Sequence, residues 1–166
     1  MKEPKLPAVV SIRTKIKPGD VGYLTYLHGT LYAIECGWDE TFETYVAIPL
    51  SEFVKSHSDR EKIWVAERNG TIAGSIAIVQ AGAEGAQLRW FLLHPDLHGQ
   101  GIGWYMMDGA LQFCRERGYR SVFLWTEARL EAAARLYRKA GFQLSEEKTH
   151  ARWGTTVTEQ RYDLRL

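Results

Sequence analysis

A chain of 166 residues, 45% hydrophobic and 25% charged, suits one globular domain, residues 1–166, able to bury about 70% of the surface its unfolded form exposes. A formal net charge of +1 supplies no global field for nucleic acid, and no apolar run reaches the roughly 18 residues of a membrane span. Cys36 and Cys114 belong to no CxxC or histidine-rich pattern and read as idle thiols, and the charged, proline-containing start is not a signal peptide; a cytoplasmic protein with no nucleic-acid or membrane partner and no metal is expected.

Residues 1–8, with Pro4 and Pro7, read as a loose tail. Val9 to Ile16 alternates polar and apolar residues, a strand with one wet face. Lys17-Pro18-Gly19-Asp20 is a turn with Asp20 as helix N-cap. From Val21 to Cys36 apolar residues recur at positions 24, 27, 31 and 34, with His28, Tyr32 and Glu35 on the neighbouring stripe. Gly37 ends that helix, and Asp39 caps a second one reaching about Lys55. Lys62 to Glu67 and Thr71 to Gln80 flank Arg68-Asn69-Gly70, a hairpin signal. A strand from Gln87 to Leu93 is followed by a helix ending at Gly118, a strand from Arg120 to Trp125, and a helix from Leu130 to Ala140. Phe142 to Glu146 and Thr155 to Leu164 read as closing strands. Strands and helices alternate in the second half, so a sheet flanked by helices, α/β or α+β, is the economical architecture.

The chemistry concentrates between Leu88 and Gly103. An apolar run stops at Pro95, then Gly99, Gly101 and Gly103 stand at every second position before helical periodicity begins. Glycines here free the backbone to turn its amides toward an anion at a helix start. The stretch reads as strand, diphosphate-sized cradle, helix. A dinucleotide-binding loop is one reading, with Glu127 downstream to meet a ribose. It fits poorly, because Trp104 stands where the third glycine belongs and too little chain follows for a second mononucleotide half.

The other reading is a coenzyme A loop. Leu93, His94 and Pro95 followed by Gly101 and Gly103 resemble motif A of the GNAT superfamily of N-acetyltransferases, with His98 in place of the usual Arg or Gln. Ala133 to Phe142, Ala-Ala-Arg-Leu-Tyr-Arg-Lys-Ala-Gly-Phe, is similar to that superfamily's A-x-x-L-Y-x-K-x-G-F signature, although Leu130 replaces a frequent cofactor-binding Asn. Residues 22 to 38 also resemble a subgroup found behind MarR-type winged helices.

The resemblance implies a GNAT fold: a central mixed, mostly antiparallel sheet of six to seven strands flanked by about four helices. It implies direct transfer of an acetyl group from acetyl-CoA to a primary amine, and it admits a homodimer. Backbone groups of Phe91, Leu92 and Leu93 would hold the pantetheine arm and polarise the thioester. Amides of His98, Gly99, Gln100, Gly101, Ile102 and Gly103 would hold the diphosphate, with Ala133 beside the cofactor. Tyr137 would protonate the departing thiolate. His28, Glu35 and Glu84 are candidate bases, with His94 and His150 behind them, and His28, Tyr32, Trp38 and Trp153 are available to line the acceptor pocket. A non-catalytic acyl-CoA sensor of the same fold is the alternative; it would keep the loop without the acid.

Overall fold

The computed structural model describes residues 6–166; residues 1–5 of the expected tail lie outside the described residues. Strands β1 (Val10–Arg13), β2 (Lys62–Arg68), β3 (Thr71–Ala81) and β4 (Gly85–Leu93) pair antiparallel with one another in that order. β5 (Ser121–Glu127) joins β4 in parallel, and β7 (Thr155–Arg165) lies between β5 and β6 (Gln143–Arg152). The parallel pair requires a crossover, which α3 (Ile102–Glu116) supplies. This seven-stranded mixed sheet, with α1 (Asp20–Cys36), α2 (Thr41–Ser56), α3 and α4 (Glu131–Lys139), is the expected architecture.

Alternation along the strands builds a core on each face. Ile76, Ile78, Ala86 and Leu88 enter one cluster with Ile102, Met106 and Met107 of α3 and Ala134 of α4. Ile63, Val65 and Ala77 point the other way, into a cluster with Leu24 of α1 and Phe42, Val46 and Leu50 of α2. Both cysteines are buried and free; burial pushes the Cys36 thiol up to about 11 and the Cys114 thiol up to about 12.

Four expectations change. Gly19, at φ 93, takes the N-cap place, and Asp20 begins the helix with its carboxylate paired to Arg13 at 2.7 Å. That pairing also ends β1 at Arg13 rather than at Ile16. β6 extends to Arg152, past Glu146: as an edge strand with most side chains in water it needs no apolar alternation to declare itself. The inward row of α1 is rotated. Ile34 is 83% exposed, while His28, placed on the side stripe, is 3% exposed. Gly29 lets α1 approach α2 so closely that a Cβ there would lie 2.5 Å from Glu43. The helix consequently turns the row of Leu24, His28, Tyr32 and Cys36, spaced by four, toward the sheet.

Candidate active site

β4 and β5 pair only from Gly85↔Ser121 to Gln87↔Phe123 and then part. In the widening gap, one extra residue of β4 opposes β3, and Trp90 sits at φ 46 in that bulge. The bulge reverses the alternation: Arg89 and Trp90 share the α1/α2 face, and Phe91 and Leu93 pass to the other. Ser75 Oγ donates to the Trp90 carbonyl at 2.6 Å, satisfying it. Beyond the bulge, His94 gives its amide to Ala73, and Leu92 presses its carbonyl on Gly74, where a Cβ would come within 2.5 Å. Backbone groups alternate sides along a strand, so Phe91 and Leu93 direct theirs into the gap.

A cavity of about 340 Å³ opens where this strand end, the glycine loop and α4 converge. Phe91, Leu92, Leu93, His98, Gly99, Gly101, Gly103, Ala133 and Tyr137 all line it. Gly99 at φ 74 and Gly101 at φ 79 adopt the left-handed conformation, with open space where side chains would stand. The first helical hydrogen bond of α3 runs from Tyr105 to Gly101, which leaves the amides of Ile102, Gly103 and Trp104 without helical acceptors, and no side chain of the described residues caps the helix. This concave row of free donors and the helix dipole fit a diphosphate. His98 fastens the loop: its Nε2 donates to the Leu93 carbonyl at 2.9 Å. Gln100 donates its side chain to the Asp96 carbonyl and the Ile102 side chain is core, and neither residue is among those lining the cavity.

Tyr32, Phe91, Leu130 and Tyr137 form a wall shared with a second, smaller cavity of about 110 Å³. Trp38, Phe42, Tyr45 and Trp153 close its outer side, with Trp38 and Trp153 rings 4.4 Å apart and the Asp39 amide bound to the Trp153 carbonyl at 3.0 Å. Tyr137 is 5% exposed, and burial pushes its hydroxyl well above the usual phenol range, against a smaller opposite pull from Thr126. Burial raises the Tyr32 hydroxyl likewise, reinforced by Tyr137. The His28 ring lies 2.7 Å from the Leu24 carbonyl through Nδ1; a carbonyl only accepts, so Nδ1 carries the proton and Nε2 keeps its lone pair. That buried Nε2 has no partner among the described residues, and burial pulls the ring down to about 4, so it is neutral.

Three charged residues of this cavity have no signal in the sequence as acceptor-site groups. Glu127 and Glu159 stand opposite each other on β5 and β7, 3% and 6% exposed. Arg129 holds Glu127 at 3.1 Å and Arg152 holds Glu159 at 3.2 Å, with the His150 Nε2 2.6 Å from the same carboxylate. Arg89 lines the same space. Only the fold brings these positions together. Glu35, by contrast, is exposed and lines only the larger cavity. Glu84 lies in the turn before β4, exposed and about 20 Å of strand from Phe91, outside both cavities. His94 is engaged with Asp96 at the start of the glycine loop.

The acetyltransferase (GNAT) family matches residues 30–142 of this chain. Rat N-acetyltransferase 8 is 31% identical over 117 residues, 66% of this chain and 53% of that protein. Rat N-acetyltransferase 8F1 is 30% identical over 112 residues, 64% and 51% of the two lengths, so the chain spans about half of these relatives. Among solved structures, the fold is similar to that of yncA from Salmonella typhimurium, described as an acetyltransferase and solved with its cofactor acetyl-CoA, at TM-score 0.75 and 15% identity over 95% of this chain and 94% of that one. A GNAT acetyltransferase from Staphylococcus aureus Mu50 aligns at TM-score 0.76 and 15% identity, covering 94% and 98%. The resemblance of residues 22–38 to MarR-linked domains is not reflected in these matches. With the parted strands, the glycine loop and a match over more than half its length, the chain belongs to the GNAT family of acetyltransferases.

Proposed function

We propose that this protein moves an acetyl group from acetyl-CoA directly to a primary amine bound in the smaller cavity. The observation that carries this reading is the shared wall: two cavities of different character meet at Phe91 and Tyr137. Acetyl-CoA supplies an activated acyl thioester. The loop amides from Gly99 to Trp104 would hold its diphosphate, and the gap-facing backbone of Phe91 and Leu93 its pantetheine arm.

Each remaining role falls to a residue of the chain. The Leu93 amide donates to the carbonyl oxygen under attack, a contribution of roughly 10²–10³ in rate. The Tyr137 hydroxyl, kept protonated by burial, holds the proton the departing sulfur needs. As the amine nitrogen bonds to the acetyl carbon and the C–S bond breaks, the nitrogen gives a proton to the free Nε2 lone pair of His28. Sulfur takes the one from Tyr137, and both residues return to their resting states by exchange with solvent. The aromatic outer wall excludes water from the reacting atoms.

Steady release of free CoA, followed with a thiol reagent over a panel of amines, tests the reading. Amine-dependent release is the expected result. Tight binding of acetyl-CoA with no release at any amine would leave a non-catalytic acyl-CoA sensor instead.

A further inference from the structure

The smaller cavity carries more polar groups than an amine alone would use. The Arg89 guanidinium is half-buried and lies 5.9 Å from the Tyr45 ring centre and 4.9 Å from that of Trp90. No carboxylate of the described residues acts on it: burial lowers its pKa, and Tyr45 alone opposes that. Two further donors stand idle. The indole N–H groups of Trp38 and Trp90 are buried without an acceptor among the described residues, and both residues line this cavity. Buried donors left unpaired are costly and call for an acceptor.

Acceptors line the same cavity. Glu127, Glu159 and the free Nε2 of His28 are acceptors, and Glu127 comes from the strand that carries Thr126 beside Tyr137. Arg89 precedes the shared-wall residue Phe91 by two positions of β4, roughly 7 Å of strand. Arg129 and Arg152 already pair the Glu127 and Glu159 carboxylates, so the acceptor left free for an amine is the His28 Nε2, while Arg89 offers a guanidinium beside which no carboxylate of the described residues stands.

Resting on the acetyl-transfer reading above, we infer that the acceptor is an amine bearing its own carboxylate, an amino-acid-like zwitterion. Its carboxylate pairs with Arg89, with the Trp38 and Trp90 N–H groups as further donors, and its amino group meets the free Nε2 of His28. The aromatic lining covers an apolar side chain. Arg89, paired with no carboxylate among the described residues, is then the residue that determines specificity.

The test compares three versions of each common amino acid: the free acid, its carboxamide, and the amine left when the carboxylate is removed. In the best series, the free acid should exceed both others by about 10- to 100-fold in kcat/KM, the scale of a charge-assisted bidentate pair. Arg89→Gln should bring that preference to within about threefold, and Arg89→Lys should restore part of it. Tryptophan fluorescence of the wild-type chain, titrated with the same compounds beside CoA, reads binding without turnover. If the amines or carboxamides are used as well as the free acids, or if no amino acid binds, the inference is overturned while CoA release still supports acetyl transfer. If amino acids bind through Arg89 but no compound releases CoA, acetyl transfer is overturned and the anion-reading site remains. Should Arg89→Gln not fold, the wild-type comparison of acid with carboxamide decides alone.

Discussion

Ser75 and Trp90, on adjacent strands, are joined by a 2.6 Å hydrogen bond from the Ser75 hydroxyl to the Trp90 carbonyl, with Ser75 fully buried. It secures the carbonyl of the bulged residue that turns Phe91 and Leu93 toward the gap. Ser75→Ala leaves that carbonyl unpaired in the interior and should cost about 1–3 kcal/mol of stability in urea denaturation. kcat should fall as well, because the Leu93 amide loses its fixed aim. An unchanged midpoint would show that the bulge holds itself.

Tyr137→Phe removes one hydroxyl and keeps the ring that packs against Phe91, Phe142 and Tyr162. The melting temperature should move by only a few degrees, while kcat falls by about 10²-fold or more. Burial raises the hydroxyl above its ordinary value, so the wild-type enzyme should show no alkaline loss of rate from this group below about pH 10. Full activity in the variant would remove Tyr137 from the reaction.

His28 couples stability to pH. Its folded value is depressed to about 4 by burial, whereas an unfolded histidine titrates near 6.5. Between those values the unfolded chain binds the extra proton, so this contribution is complete above about pH 6.5 and is lost as pH falls toward 4. Its size is on the order of 3 kcal/mol. Denaturation curves across that window should steepen this decline in the wild type relative to His28→Gln; equal pH slopes would contradict it.

Gly101→Ala places a Cβ on a residue at φ 79, in space that is otherwise empty. The left-handed conformation costs an alanine roughly 1–2 kcal/mol, and the methyl group intrudes on the row of loop amides. The Kd for CoA, measured by calorimetry, should rise at least about tenfold, with the KM of the amine little altered. A normal Kd would move the diphosphate away from this loop.

The strand–glycine–helix stretch and the second motif are local in the chain, so the fold and the larger cavity were legible from residues 88–103 and 133–142. The smaller cavity was not. Glu159 and Arg89 come from strands separated by most of the second half of the chain, and neither lies in a pattern that marks it. Periodicity alone turned α1 the wrong way, because apolar Ile34 outweighed His28 on paper. The deciding contact is the close approach of Gly29 to Glu43, a tertiary fact. Glu84 seemed close to the reaction through its proximity in sequence to β4, but it precedes the strand at the end opposite Phe91.

Because Tyr32, Phe91, Leu130 and Tyr137 face both cavities, the two cannot be reshaped separately there, and on the proposed reading neither can the preferences for acetyl donor and acceptor. Any change that reshapes one compartment deforms the other. On the proposed reading, divergence toward new amines is freer at Trp38, Tyr45 and Trp153, which border the smaller cavity and not the larger and come from a helix junction, α2 and a hairpin tip. Those peripheral segments are where closely similar sequences should differ most when their acceptors differ.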